Sequence, residues 1–394
     1  MLFYTVWVAI YQRDFIFEAK FLGELVEVML SSLSSGCKYL PLALILLVGT
    51  CRVHAETYIW NLPKWMSPPP IPADNAMSVE KVDLGQRLFY DANLSGPGYM
   101  SCSTCHMPEH SFSEPRPVSV GVTGQFHSRN AMSIINVAYM KTLTWANPNE
   151  VHLEDQARVP MFGIHPIEMG SKGQEDKVIL FLQRDPIYPD LFQKAFPEQI
   201  DPINFDSITK ALAAFERTLI SYQSPYDDYK FNHNDSAISE DAKHGEVLFF
   251  SAKLGCSSCH AGVHFSDATQ TPAFHNTGLY NLDGKGAYPE GNQGLFEHTG
   301  KEADKGRFRT PTLRNIAQTA PYMHDGSIAT LEEVIEHYAA GGRAAQQGKA
   351  SPLRSDKLHP FVLTDDEKRQ LMAFLTSLTD SKFIDNPHFT TPFR

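Results

Sequence analysis

The chain is short of several things, and each shortage removes a class of protein. Positive charge is in deficit: 34 lysines and arginines face 45 aspartates and glutamates, a formal net charge of −11. That balance argues against a nucleic-acid partner and suits attraction of a basic protein. No apolar run is long enough to cross a bilayer comfortably, so a membrane-embedded enzyme and an integral span in the mature protein are not expected. Strand signals are sparse, which leaves a mainly α fold. Cysteine is scarce too, with six in 394 residues, and their placement matters more than their number. A length of this order suits two ordinary domains.

What is present begins with "KYLPLALILLVGTCRVHAET". A lysine, an apolar run from Leu40 to Val48 and small residues at Val53 and Ala55 read as a secretory signal, with cleavage expected after Ala55. Met29 would open a better-proportioned signal and is an alternative start. Residues 1–55 are therefore set aside, and export to the periplasm follows. Cys37 and Cys51 leave with that segment, and Cys102, Cys105, Cys256 and Cys259 remain.

Those four lie in "CSTCH" (102–106) and "CSSCH" (256–260), both matching C-x-x-C-H. In an exported protein this is the attachment signature of c-type haem. Two cysteines three residues apart can form thioethers to the two vinyl groups, and the adjacent histidine, His106 or His260, then lies under the iron. A redox dithiol lacks any need for the histidine, and a zinc site would require two distant pairs to converge. Two covalently bound haems are thus expected, with no cysteine left for a disulfide framework.

Around the motifs the chain echoes itself: "LGQRLFYDANLSGPGYMSCSTCHMPEHSFSE" and "HGEVLFFSAKLGCSSCHAGVHFSDA". A helix, a loop, the haem motif and a histidine-containing stretch recur in order, so two cytochrome c-like domains related by internal duplication are expected. Ser78 and Ser239 are plausible caps for the preceding helices, followed by acidic residues. "SITKALAAFERTLISY" (207–222) and "DDEKRQLMAFLTSLTD" are further helices, and "SPYDDYKFNHNDSAIS" is the best boundary, giving domains at 56–225 and 226–394. Long irregular loops are expected to be held by haem.

"TLEEVIEHYAAGG" (330–342) offers two neighbouring iron ligands, His337 and Tyr338. Leu331, Val334, Ile335 and Tyr338 share one helical stripe, which places Tyr338 on the core face and His337 on the more polar side with Glu333. A tyrosine on such a stripe is ordinarily packing, and spacing alone goes no further.

The order of motifs resembles the di-haem cytochrome c peroxidase and MauG superfamily over essentially the whole mature chain. The resemblance rests on "CSTCH", "RNAMSIINVAY" (129–139), "LEDQARVPMFGIHPIEMG" (153–170), "CSSCH", "RTPTLRNIAQTAPYMHDGSIATLEEVIEHY" (309–338) and the C-terminal helix. Within the superfamily the chain looks most like the exported MauG-like branch that includes MbnH-type enzymes, which oxidise tryptophan in a partner protein.

The resemblance implies roles. Glu168 would be the carboxylate that moves protons of H₂O₂ beside the first haem, with Gln156 as its companion amide. Trp145 would lie between the haems and carry electrons. Asn130, through its side chain, and Thr319 and Pro321, through their carbonyls, would hold a Ca²⁺ between the haems, an oxygen-only set that suits this ion. Tyr338, seventeen positions after Pro321, stands where electron-accepting peroxidases carry a methionine. As a phenolate it would stabilise oxidised iron and make the second haem a store for oxidising equivalents, two of which would be shared through Trp145. The distal side of the first haem would be open or water-ligated, with His127 as the alternative ligand. His110, His165, His264 and His324 would be structural, propionate-binding or exposed, His324 being the best supporting candidate.

The resulting expectation is a periplasmic enzyme that uses H₂O₂ to oxidise a side chain, tryptophan foremost, on an exported partner. One rival is a cytochrome c peroxidase supplied by a small electron-donor cytochrome. Another is a di-haem electron-transfer protein without catalysis, against which Glu168 and Gln156 argue.

Overall fold

The structure, a computed structural model, describes residues 58–393. The expected signal at 1–55, with Met29, Cys37 and Cys51, lies outside the described residues. The longer helices are, in chain order, α1 (Val79–Tyr90), α2 (Glu175–Arg184), α3 (Tyr188–Ala195), α4 (Phe205–Thr218), α5 (Pro225–Asn232), α6 (Glu240–Phe249), α7 (Leu331–Ala339) and α8 (Asp365–Ser377). The named strands are short, β1 (Phe274–Asn276) pairing antiparallel with β2 (Arg307–Arg309) in the register His275 to Phe308. Mainly helical architecture with long loops is therefore what forms. Among the described residues, no helix is long and apolar enough to cross a membrane.

The helix starts follow from their caps. Ser78 accepts the N–H of Lys81 at the head of α1, and Ser239 accepts that of Ala242 at the head of α6. Each satisfies one of the donors a helix start leaves free. α1 then packs on α4, and α6 on α8. Both crossings are close because each centres on a glycine: a Cβ on Gly85 would lie 1.9 Å from the Ala211 carbonyl oxygen, and one on Gly245 2.0 Å from that of Gln370. Phe215 and Phe374 border the two contacts.

The recurrence extends beyond the helices. Asn136 and Asn315 both adopt left-handed backbone, at φ 54° and 56°. The Asn136 N–H donates to Leu219 O, and its Oδ1 accepts from Ser221 N–H. Asn315 does the same with Leu378 O and Asp380 N–H. Each asparagine thus locks the chain leaving α4 or α8 to the loop after its C-x-x-C-H turn. Asparagine tolerates this conformation better than most residues, and its amide replaces the backbone partners the turn removes.

Two apolar clusters form the bulk of the core. One draws on Leu84, Leu88, Phe89, Phe112, Phe192 and Phe215, the other on Phe249, Phe265, Ile335, Leu371 and Phe374. Full burial of a side chain such as Phe89 stabilises by about 1.5–3 kcal/mol. The division at 225/226 is not a clean cut, however. Phe383 and Phe389, after α8, pack on Phe112 of the first cluster, while Trp145 and Ala146 pack with the second. The described residues accordingly belong to one compact unit.

The segment read as the domain boundary is also partly helical. Ser224 and Asp227 form a capping box around Pro225, and α5 follows. Asp227 is 2 % exposed and makes a two-bond ion pair with Arg314, both at 2.8 Å, so this stretch anchors the second half.

Alanine at Gly245 should expose the tight crossing. An exposed helical glycine gains about 1 kcal/mol on replacement by alanine, whereas Gly245→Ala should lose about 1–3 kcal/mol through overpacking against Gln370. Denaturant melts of the haem-loaded variant should show a lower midpoint; a raised one would mean the helices can separate freely.

Candidate active site around two C-x-x-C-H turns

The two motifs fold alike. Cys102–Thr104 and Cys256–Ser258 are single 3₁₀ turns, closed by His106 N–H to Cys102 O at 3.0 Å and His260 N–H to Cys256 O at 2.9 Å. All four described cysteines are free, as thioether formation requires. Each histidine ring is held by the same bond: Nδ1 donates to Phe112 O in one case and Phe265 O in the other, both at 3.0 Å. A ring that donates from Nδ1 offers its other nitrogen, Nε2, as the ligand atom. Burial keeps both imidazoles below their ordinary pKa, hence neutral and able to bind a metal.

Around His260 lies an apolar cavity whose wall includes Cys256, Cys259, Trp145, Leu331, Val334, Ile335 and Tyr338. The stripe of α7 therefore faces this cavity as its spacing predicts. Burial raises the Tyr338 phenol above its ordinary value, so the cavity alone disfavours the phenolate, and a cation beside it is needed to form one. His337 departs from expectation. It is 1 % exposed, not on a polar flank, because the chain reverses after α7 and covers it: Arg343 N–H donates to its Nδ1 at 3.0 Å. It does not line the cavity.

The same cavity contains Arg309, which sequence reasoning missed. It is 4 % exposed, donates Nε–H to Thr144 O at 3.2 Å and meets Met132 Sδ, and has no carboxylate partner among the described residues. Burial pulls its pKa down to about 10. A guanidinium enclosed without a counter-ion is costly, and the acidic propionates of a haem would supply the missing charge. Strand alternation would have hidden it, since Phe308 and Arg309, successive in β2, are both buried. The donor set, the apolar wall and this orphaned cation fit haem.

His324 also lines the cavity, stacked on Phe308 at 3.6 Å, with its Nε2 unpartnered. Trp145 stands 6.5 Å from it edge-on, and its indole N–H donates to Asn130 O at 2.8 Å. The Asn130 amide nitrogen in turn donates to Arg116 O and Pro117 O. Trp145 is thereby tied to the loop that follows the first C-x-x-C-H turn. Among the described residues, no hydrogen bond is made to Asn130 Oδ1 or to the carbonyls of Thr319 and Pro321. Three free oxygens suit Ca²⁺ chemically.

Near the first turn, Glu168 retains 29 % side-chain exposure and its Oε1 lies 3.7 Å from His127 Nε2. Burial raises its pKa to about 7. His127 accepts the Arg129 N–H at Nδ1, 2.9 Å away, so its neutral form carries the proton on Nε2, toward Glu168. Gln156 ends the short helix Leu153–Gln156, and no hydrogen bond joins it to Glu168. Of the other histidines, His165 is exposed and His110 partly so, while His264 is buried with Nδ1 3.2 Å from Asn136 Nδ2.

Comparison with known proteins gives a consistent set of relatives. Residues 79–236 match the family model for di-haem cytochrome c peroxidase. The chain is 35 % identical over 309 residues to methylamine utilization protein MauG of Methylorubrum extorquens, covering 78 % of this chain and 81 % of that one. It is 32 % identical over 303 residues to cytochrome c551 peroxidase of Pseudomonas aeruginosa, covering 77 % and 80 %. Among solved structures, a MauG-like protein associated with microbial copper homeostasis superposes with a TM-score of 0.82 at 47 % identity, covering 86 % of this chain and all of that one.

A carboxyl with a pKa of about 7 is neutral below that pH and a base above it. Peroxide consumption by the haem-loaded protein should therefore rise with pH through about 7, and Glu168→Gln should abolish that limb and lower the rate by about 10²–10⁴-fold. His127→Phe, which puts an apolar ring in place of the imidazole 3.7 Å from Glu168 and deepens its burial, should move the midpoint upward and leave the ferric haem spectrum intact. A changed spectrum would instead make His127 an iron ligand.

Proposed function

Since the chain belongs to the di-haem cytochrome c peroxidase and MauG family, whose members are peroxide-using haem oxidoreductases, we propose that it is a MauG-type enzyme oxidising an aromatic side chain, tryptophan foremost, on an exported protein partner. Haem is implied by the family. Its covalent attachment at Cys102, Cys105, Cys256 and Cys259, with His106 and His260 as ligands, is our reading of the two turns. When bound, the haem pair would supply two-electron oxidation by H₂O₂ and a store for the two oxidising equivalents.

The chain's own residues do the rest in this reading. Glu168, with a pKa near neutrality, takes a proton from the incoming peroxide and returns it to the departing oxygen, so that water can leave. His127 lies beside the carboxylate, 3.7 Å away, and Gln156 borders the same region in the family resemblance. Trp145, fixed by Asn130, links the two centres, and Asn130, Thr319 and Pro321 provide oxygens for Ca²⁺ between them. The recurring glycine crossings, asparagine locks and imidazole tethers support an internal duplication, with halves meeting near residue 225. Localisation in the periplasm follows from the expected signal at 1–55.

One observation carries the choice between MauG-type chemistry and electron collection from a small cytochrome: the residue at position 338, which α7 presents to the cavity of His260, is a tyrosine, where the family resemblance puts a methionine in electron-accepting members. A phenolate favours the more oxidised states of iron, whereas a thioether raises the potential so that the haem collects electrons.

Addition of one equivalent of H₂O₂ to the fully ferric protein should abolish both ferric signals in EPR and Mössbauer spectra, with slow recovery. Silence until one haem is reduced would establish the cytochrome-fed peroxidase instead. Tyr338→Met should raise the second haem's potential and cut peroxide-driven oxidation of an indole substrate at least tenfold; unchanged oxidation would remove the tyrosine from the mechanism.

A further inference from the structure

Aromatic rings run from the cavity of His260 to the surface. His324, 4 % exposed, lies in the cavity wall beside Trp145. The Tyr288 ring, also 4 % exposed, is centred 6.1 Å from His324. Tyr280 follows, 5.5 Å from Tyr288 at an interplanar angle of 78°, and it is partly exposed.

The two tyrosines differ in what their hydroxyls meet. Tyr288 donates to the amide oxygen of Asn276 at 3.0 Å, which is no base. Tyr280 donates to Asp325 Oδ2 at 2.6 Å, and Asp325 Oδ1 is steadied by the Ser327 N–H at 3.1 Å. A phenol gives up an electron far more readily when its proton has somewhere to go, so a neutral radical is favoured at Tyr280 and disfavoured at Tyr288. Two other tyrosines bond to carboxylates, Tyr188 to Asp91 and Tyr226 to Glu246, but both are buried. Tyr280 combines a base, a ring contact toward the cavity and access to solvent.

We propose that Tyr280, with Asp325 as its proton acceptor, is the redox exit of the second centre, where an electron-rich aromatic group on a docked protein is oxidised. The proposal rests on the peroxide-driven reading above. In each event one electron leaves Tyr280 through Tyr288 toward the centre, the O–H bond breaks, and the proton moves to Asp325. A neutral phenoxyl and a carboxylic acid result. The partner then donates one electron, Asp325 returns the proton, and the O–H bond re-forms. Two such events supply the two electrons with which H₂O₂ and two protons, drawn from solvent or from the oxidised partner, become two waters.

The test uses the haem-loaded full chain, one equivalent of H₂O₂, freeze-quenching and EPR. The wild type should show an organic radical that narrows when tyrosine is ring-deuterated. Tyr280→Phe, which keeps the ring packing, should lose that signal and slow recovery of the ferric haem signals several-fold, while their initial loss on peroxide addition is unchanged. Asp325→Asn should keep the fold, judged by its melt and visible spectrum, and lower the radical yield several-fold. If Tyr280→Phe leaves both the radical and the recovery rate as in the wild type, the exit is wrong and the enzymatic reading stands. Failure of peroxide to alter the ferric signals of the wild type would overturn both.

Discussion

One hydrogen bond, used twice, governs the chemistry of this protein. His106 and His260 each donate from ring Nδ1 to a phenylalanine carbonyl at 3.0 Å, which leaves Nε2 available as a ligand atom. For the carbonyl to reach the ring, the phenylalanine must turn back on itself in left-handed backbone, φ 57° at Phe112 and 50° at Phe265. That conformation is uncommon for a bulky side chain. Burial of the same residues, 1 % and 2 % exposed, offsets the strain, and the packing of α1 on α4 and of α6 on α8 holds them there.

The buried charges divide into two kinds. Arg314 meets Asp227 with both partners enclosed and every contact short, a closed pair that fixes how α5 attaches to the second core. Among the described residues Arg309 has carbonyl and sulfur neighbours but no carboxylate. A fold would not retain such a cation for its own stability. The sensible account is that the cavity is built around an anion-bearing group, as haem propionates are. Tyr338 makes the complementary point from the opposite sign: burial holds its phenol neutral unless iron is beside it.

Much of the local structure was legible. Ser78 and Ser239 cap the helices they announce, because a cap depends only on a few adjacent residues. The stripe from Leu331 to Tyr338 faces the cavity because helical spacing fixes which side chains share a side. His337 shows where that logic stops. Its side of α7 is covered by a chain reversal at 341–343, a long-range event no helical wheel contains. Arg309 was hidden for a similar reason, since burial on both faces of β2 defeats the alternation of a strand.

The sequence by itself determined where the two C-x-x-C-H turns lie, which helices form, and which residue of α7 turns inward, since each depends on spacing along a short stretch. Only tertiary structure decided that the tail after α8 returns to Phe112, that His127 points to Glu168, and that Arg309 has no carboxylate partner among the described residues. Those outcomes depend on which distant loops converge, and convergence is set by packing across the whole core, not by any local pattern.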